Sequence, residues 1–206
     1  MTFKSFRDFQ QSAGTRTGKQ EAHTLSDSES TPQETMEVAY KKITAQLADE
    51  LRTNIMGQTP AFFERLVMDL LEKMGYGGEL MNRGEVTGQT GDEGIDGIIR
   101  EDALGFEQIY VQAKRWAMEH AVSEPDIQQF AGALMGKGAT KGLFITTSRF
   151  SKKAREYVEK HMTAKIVLVD GDTLTRLMIR YGLGVSVVHS YEIKRVDSDY
   201  FKEALD

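Results

Sequence analysis

Asp92-Glu93-Gly94-Ile95-Asp96-Gly97-Ile98-Ile99, followed by Tyr110-Val111-Gln112-Ala113-Lys114, is the stretch that decides the fold. Side chains alternate between the two faces of a strand, so Gln112 and Lys114 share one face while Val111 and Ala113 share the other. If the two runs pair as a hairpin, Asp96 reaches the same polar face. The pattern therefore predicts a carboxylate, an amide oxygen and an ammonium at one spot of an otherwise apolar sheet. These groups are the minimum needed to hold a divalent metal against a phosphodiester.

The bulk composition excludes several classes of protein. With 206 residues, 40% of them hydrophobic and 28% charged, the chain is long enough for one globular domain plus an appendage. The sequence contains no cysteine, which excludes disulfides, thiolate zinc sites and a cysteine nucleophile. No apolar run has the length of a membrane helix and no signal-peptide pattern is present. We therefore expect a cytoplasmic protein with no membrane partner.

The charge is unevenly distributed along the chain. The net charge is −5, yet residues 110–165 carry ten Lys and Arg side chains against five Asp and Glu. This basic segment begins beside the Gln-x-Lys run, and a local positive field suits a polyanionic substrate. An ordinary solvated face would give the same count, so the charge alone leaves both interpretations open.

The remaining patterns predict an α/β protein. Residues 1–31 have the composition of a flexible polar tail, and apolar residues at spacings of three and four predict a helix over residues 32–57. Thr59-Pro60 predicts the start of a second helix, which ends near Gly75. After the hairpin, helices and strands alternate, with a final β-rich stretch at 185–196. We expect a mixed central β-sheet with helices on both faces, preceded by N-terminal helices.

Four residues are candidates for catalysis, each with a structural alternative. Asp96 between two glycines also suits a turn, and Lys114 also suits a strand end where a lysine reaches solvent. Gln112 is a polar amide inside an apolar strand and must find a partner there. Glu64 has apolar neighbours three and four residues away, although a first-turn acid is also favoured by the helix dipole. Together these residues offer oxygen ligands for a hard metal, with Asp96, Gln112 and Glu64 as ligands.

Other arrangements have less support. Asp92, Glu93 and Glu107 are alternative acids near the same strands. The four histidines show no metal-ligand spacing, which disfavours zinc. Neither a Walker A run nor a G-x-S-x-G motif is present, so the sequence supports neither a P-loop ATPase nor a serine hydrolase.

From about Thr31 onward the chain resembles the catalytic domain of Mrr-type restriction endonucleases. The resemblance rests on the segments Thr59–Val67, Met74–Gly78, Gly91–Ile99, Tyr110–Trp116, Ile127–Leu134, Lys141–Ser148 and Ile166–Gly171. It implies the PD-(D/E)-x-K nuclease fold, with residues 58–206 as the catalytic domain. By motif, Asp96 is the metal carboxylate, Gln112 takes the place of the second acid, Lys114 is the motif lysine and Glu64 is the assisting helix glutamate.

The resemblance also implies an activity and its partners. We expect a Mg²⁺-dependent DNA endonuclease, with Mn²⁺ as a substitute metal, that restricts modified DNA in the manner of type IV enzymes. Cutting two strands of duplex DNA needs two sites and predicts a homodimer or a higher homo-oligomer. Mrr proteins usually carry an N-terminal DNA-reading domain, and only about 30 residues precede the helix at Pro32 here, so a separate specificity subunit is a further expectation. DNA contacts are expected from Arg115, Gln128, Lys137, Arg149, Lys152 and Lys153.

Two other functions remain open at this point. One is a repair or recombination nuclease that acts on branched DNA. The other is a DNA-binding module that keeps the fold without cutting, whose binding would weaken steeply with salt and ignore Mg²⁺.

Overall fold

The structure is a computed structural model that describes residues 30–77, 94–102, 106–161 and 164–202. These residues contain five helices and four strands. In chain order they are α1 (Pro32–Met56), α2 (Pro60–Lys73), β1 (Gly97–Arg100), β2 (Gln108–Lys114), α3 (Glu124–Gly136), β3 (Lys141–Thr146), α4 (Lys152–His161), β4 (Lys165–Val169) and α5 (Gly171–Tyr181). Asp92, Glu93 and residues 1–29 of the predicted tail lie outside the described residues.

The chain divides into two compact units, Met1–Lys41 and Lys42–Asp206. In the first, Thr31 begins α1 with a capping box, because its N–H donates to Glu34 at 2.7 Å and its hydroxyl accepts from the Glu34 N–H at 3.3 Å. In the second unit, Leu51 and Ile55 near the end of α1 are buried in the core. The predicted domain limits at 31 and 57 stay a prediction.

The sheet has the order β1-β2-β3-β4 among the described strands. β1 and β2 are antiparallel, with Gly97 opposite Val111, and β2, β3 and β4 are parallel. The predicted hairpin and mixed sheet are therefore confirmed. Because parallel strands share their direction, the carboxyl ends of β2, β3 and β4 lie at the same end of the sheet. Lys114 is the last residue of β2 and lies at this end, which we call the site edge.

Helices cover both faces of the sheet, as predicted. One face of the sheet packs with α2, α5 and the end of α1 in a cluster that includes Val111, Ala113, Leu143, Ile145 and Val169. The other packs with α3 and α4 around Phe144 and Ile166. This alternation along β3 and β4 follows from the two-residue repeat of a strand. It also places Gln112, the partner of Phe144, on the α3 and α4 side of the sheet.

The predicted start of α2 is confirmed, and α3 begins with a similar local cap. Thr59 is the N-cap of α2 and its hydroxyl accepts from the Phe62 N–H at 3.2 Å, with Pro60 in the first turn. At the start of α3, the Asp126 carboxylate accepts from the Ser123 N–H at 2.8 Å. These local contacts satisfy N–H groups that a helix cannot pair internally.

The predicted β-rich stretch at 185–196 is wrong. No strand forms between residues 182 and 202, and large apolar side chains there are exposed, Val187 at 87% and Tyr191 at 79%. β-branched and aromatic residues favour a strand only where a neighbouring strand and a half-buried face are available. The described residues give this segment neither.

None of the described helices combines the length and apolar character needed to span a membrane.

Gly171 and Gly132 provide a matched pair for a stability prediction. A Cβ on Gly171 would lie 2.2 Å from the Thr147 carbonyl oxygen, a backbone atom, whereas a Cβ on Gly132 would meet no described atom within 4 Å. We expect Gly171→Ala to lower the free energy of unfolding by about 2 kcal/mol or more. Gly132→Ala in the exposed part of α3 should raise it by about 0.5 kcal/mol. Urea unfolding measures both, and equal effects would contradict the close packing at Gly171.

The N-cap of α5 gives a pH prediction. Burial alone would raise the pKa of Asp170, but bonds from the Thr173 N–H at 2.9 Å and from Arg155 Nη2 at 2.8 Å outweigh it and hold the pKa below its ordinary value. A lowered folded-state pKa contributes stability above about pH 4, and that stability is lost as the pH falls through the folded-state pKa.

We therefore expect Asp170→Ala to cost about 1 kcal/mol at neutral pH. This difference from the unsubstituted chain should shrink toward about pH 3. Urea unfolding across the pH range measures it. A difference that is constant with pH would contradict the role of the Asp170 charge.

Candidate active site

The β1–β2 hairpin fixes Asp96 beside the last residues of β2. Asp96 directly precedes β1, and its N–H donates to the Val111 carbonyl at 2.8 Å. Its Oδ2 accepts a hydrogen bond from the Ala113 N–H at 2.7 Å. Because Ala113 lies between Gln112 and Lys114, the structure brings Asp96, Gln112 and Lys114 together at one end of β2.

Gln112 is the buried polar member of this group, with 3% of its surface exposed. Its Oε1 is buried, and among the residues that the structure describes no donor reaches it. An amide oxygen left without a partner in the interior costs about 1–3 kcal/mol. Such an oxygen is a suitable ligand for a hard cation.

Glu64 lies on α2 and is close enough to Asp96 and Lys114 for their charges to act on it. Met68 packs against Gly97 so closely that a Cβ there would lie 2.7 Å from its sulfur. Glu64 lies one turn earlier on the same side of the helix, and Gly97 is the neighbour of Asp96 in the chain. The half-buried Glu64 side chain therefore faces the end of the hairpin that holds Asp96.

The pKa shifts show that these side chains influence one another. Burial raises the pKa of Asp96, and the Ala113 N–H and the Lys114 charge oppose this only in part. Burial also raises the pKa of Glu64, the Asp96 charge raises it further, and the Lys114 charge lowers it. A nearby cation stabilises the charged forms of two neighbouring carboxylates whose pKa values are raised. The electrostatics of the cluster thus suit a bound metal ion.

The donor set fits a divalent cation only if Gln112 takes part. Within the described ranges, no group of three or more His, Cys, Asp and Glu side chains is arranged to hold a metal ion. Asp96 and Glu64 instead offer two carboxylates, and Gln112 could add a buried amide oxygen to which none of the described residues donates. Oxygen ligands of this kind match Mg²⁺ or Mn²⁺ better than a soft metal.

Lys114 is held through its backbone by the neighbouring strand. Its carbonyl accepts from Thr146 Oγ1 at 2.7 Å and from the Thr147 N–H at 3.3 Å. Lys114 is paired with Thr146 in the parallel register of β2 and β3. These hydrogen bonds fix the backbone at the end of β2, and they therefore define the position from which the half-buried Lys114 side chain extends.

Three buried hydroxyl residues, the last of β3 and the two that follow it, support the loop after Lys114. The hydroxyls of Thr146, Thr147 and Ser148 donate to the carbonyls of Lys114, Trp116 and His120, at 2.7, 2.7 and 2.8 Å. The sequence analysis missed this role. A run of three hydroxyl residues at the end of an apolar strand is the signal that could have indicated it, since buried hydroxyls need partners.

The Arg115 side chain forms a hydrogen bond within the protein. Its Nη1 donates to the Met56 carbonyl at 2.7 Å, and its Nε is buried without a partner among the described residues. The side chain therefore caps the last turn of α1, which leaves part of the guanidinium for another ligand. Its predicted DNA contact stays a prediction.

The predicted DNA-contact residues lie at two different ends of the sheet. Arg149 follows the carboxyl end of β3, and Lys152 and Lys153 begin α4 shortly after it. All three therefore lie at the same end of the sheet as Lys114. Lys137 follows α3, whose last turns pack near Gly142 at the opposite end of β3. The structure thus brings the first three to the site edge and does not bring Lys137 there.

Two further predictions concern exposed polar side chains. Gln128 in the first half of α3 is exposed and donates to Glu124 at 3.1 Å. Glu107 precedes β2 and forms an ion pair with Lys141. Glu107 is seven positions before Lys114 along an extended chain, a separation of roughly 20 Å. Glu107 is therefore too distant to serve as an acid of the site.

Comparison with protein families matches residues 55–178 to Mrr_cat, described as restriction endonuclease. Among curated proteins, the chain is 42% identical over 173 residues to the "Type IV methyl-directed restriction enzyme EcoKMrr" of Escherichia coli (strain K12). That match covers 84% of this chain and 55% of the relative, so the chain spans about half the length of this curated protein.

Two solved structures are similar in fold. "DNA modification-dependent restriction endonuclease AspBHI" superposes with a TM-score of 0.51 at 19% identity, covering 68% of this chain and 35% of that one. "MspJI Restriction Endonuclease in Complex with 27-mer Oligonucleotide" gives a TM-score of 0.49 at 24% identity, covering 66% and 31%. The first likeness confirms the nuclease-like α/β fold.

Proposed function

Because this chain belongs to the restriction endonuclease family Mrr_cat, we propose that it is a divalent-metal-dependent endonuclease that hydrolyses phosphodiester bonds in duplex DNA. The family match includes every member of the proposed catalytic set: Glu64, Asp96, Gln112 and Lys114. Mg²⁺ is the proposed metal, and Mn²⁺ is a substitute with the same ligand preference.

One observation carries this proposal: Asp96 and Glu64, two carboxylates of raised pKa, lie at the end of β2 where Gln112 has a buried Oε1 that accepts no hydrogen bond from the described residues. A cluster that served only the fold would pair this oxygen, because an unsatisfied buried acceptor is costly. A cation at the site would satisfy Gln112 and stabilise the charged forms of Asp96 and Glu64 at the same time.

The proposed residues have two roles, metal binding and stabilisation of charge. Asp96, Glu64 and Gln112 would hold the cation through their oxygen atoms. When bound, a divalent cation polarises the phosphate and lowers the pKa of a coordinated water. The Lys114 ammonium, set at the end of β2, stabilises negative charge on the phosphate oxygens or orients the attacking water. Arg149, Lys152 and Lys153 at the same sheet edge would contact the DNA backbone.

The target class follows from the curated relative, whose name describes a methyl-directed enzyme. We propose that this chain restricts modified DNA in the same way and works as a homodimer, because two strands require two sites. Residues 32–57 would serve as a linker helix and residues 58–206 as the catalytic domain. A separate specificity subunit would supply target reading if the chain alone does not discriminate.

Plasmid cleavage tests this function. Methylated and unmethylated supercoiled DNA would be incubated with the purified chain with and without Mg²⁺, beside a four-way DNA junction. Metal-dependent cutting with a preference for methylated plasmid is the expected result. Preferential cutting of the junction would favour a repair nuclease, and salt-sensitive binding without any cutting would favour a binding module.

A further inference from the structure

Gly94 lies against the side-chain amide of Gln112. A Cβ on Gly94 would be 2.5 Å from Nε2 of Gln112, 3.5 Å from its Cδ and 4.0 Å from its Oε1. The amide nitrogen is therefore turned toward Gly94, and the oxygen is turned away from it. That oxygen is the buried atom for which the described residues supply no hydrogen-bond partner.

The Gln112 amide has little freedom to move away from a side chain at position 94. Gln112 is 3% exposed, and its neighbours Val111 and Ala113 are buried in the sheet. On the adjacent strand its partner is Phe144, which is fully buried. In a close-packed interior, a contact of this kind is relieved only by rotating the amide out of its place.

Backbone conformation alone does not explain the glycine at position 94. Gly94 has φ of 93° and Gly75 has φ of 97°, a region that L-residues adopt at a cost. A Cβ on Gly75, however, would meet no described atom within 4 Å. The two glycines therefore share the backbone requirement, and only Gly94 adds a contact with a candidate metal ligand.

We propose that Gly94 is a positioning residue for the metal site. The absence of a side chain lets the Gln112 amide lie with its nitrogen toward Gly94 and its oxygen free to ligate the cation. Gly94 itself contacts neither metal nor DNA in this proposal. The inference rests on the proposed function in one respect, namely that a divalent cation binds at Asp96, Glu64 and Gln112.

The test measures metal affinity rather than activity. Mn²⁺ binding to the full chain would be followed by electron paramagnetic resonance, which counts free ion directly. Gly94→Ala is expected to raise the Kd for Mn²⁺ about tenfold or more, as displaced supporting groups of metal ligands do. Gly75→Ala, which imposes the same backbone strain without the contact, should leave the Kd unchanged.

A double-mutant cycle separates displacement of the amide from other effects. In a Gln112→Ala background no amide remains to be displaced, so adding Gly94→Ala should weaken Mn²⁺ binding no further. The same loss in both backgrounds, no loss in either, or an equal loss from Gly75→Ala would overturn the proposal. If Gly94→Ala does not fold, as judged by thermal unfolding, Gly94→Asn replaces it, because Asn tolerates positive φ and still carries the Cβ.

The outcomes also distinguish this proposal from the proposed function. If the unsubstituted chain binds no Mn²⁺, both are overturned. If it binds Mn²⁺ and Asp96→Asn or Gln112→Ala weakens the binding while Gly94→Ala does not, the metal site stands and only the role of Gly94 is overturned.

Discussion

Replacement of Lys114 by methionine is expected to slow DNA cleavage by about 10²- to 10³-fold, the usual loss when one group that stabilises transition-state charge is removed. Methionine keeps a long unbranched side chain at the end of β2, so the fold should be unaffected. Binding of Mn²⁺ should persist or become tighter, since the positive charge beside Asp96 and Glu64 is gone. Steady-state plasmid nicking and a metal titration on the same preparation measure the two effects.

Lys152→Met is the matched control for Lys114. Lys152 is at the same sheet edge, but its side chain is 90% exposed and its ion pair with Glu156 is long, at 3.7 Å. Loss of one exposed charge should weaken DNA binding slightly and leave the turnover at saturating DNA unchanged. Equal loss of turnover in both variants would indicate a general effect of positive charge, and full activity of Lys114→Met would remove Lys114 from the catalytic set.

The second large effect is expected for Asp96→Asn. The amide oxygen of asparagine can still accept the hydrogen bond from the Ala113 N–H, which is 2.7 Å long in the structure. The charge that binds the metal is lost, however, and the several kcal/mol that a metal ion contributes correspond to a fall in rate of about 10³-fold or more. Cleavage and Mn²⁺ affinity should both fall, which distinguishes this variant from Lys114→Met.

The same substitution should stabilise the protein without metal. Burial raises the pKa of Asp96, so the ionised carboxylate is less favourable in the folded chain than in the unfolded chain at neutral pH. An uncharged asparagine removes this penalty, and the melting temperature in a chelator should rise. A lower melting temperature would show that the carboxylate contributes to the fold and would weaken its assignment as a metal ligand.

Much of the fold was predictable because local signals and long-range packing agree. Thr59-Pro60 begins α2 as the capping rules require, and Gly182 ends α5 in a left-handed conformation with φ of 67°. The alternation of side chains in β2 correctly predicted that Val111 and Gln112 lie on opposite faces of the sheet. For each of these, a few neighbouring residues determine the outcome.

The candidate site was predictable in part. Asp96, Gln112 and Lys114 lie on one hairpin, so strand pairing alone brings them together. Glu64 is 32 positions before Asp96, and its proximity depends on how α2 packs on the sheet, which residue spacing does not determine. The close approach of Gly94 to the Gln112 amide and the bond from Arg115 to Met56 are likewise tertiary contacts without a local signal.

The failed prediction at 185–196 has a different cause. The alternating apolar residues of this segment favour a strand, but strand formation requires a partner strand, and the described residues provide none. Exposure of Val187 and Tyr191 shows that the pattern alone does not produce burial. β-propensity describes the fit of a side chain to a sheet that already exists.

Nicking of supercoiled plasmid with and without Mg²⁺, by the unsubstituted chain and by Asp96→Asn in parallel, tests the nuclease site most directly. We expect nicking that requires the metal and is lost in the variant, while both proteins unfold cooperatively on heating. Nicking that continues in a chelator, or that is equally fast in the variant, would contradict the assignment of Asp96, Glu64, Gln112 and Lys114 as the active site.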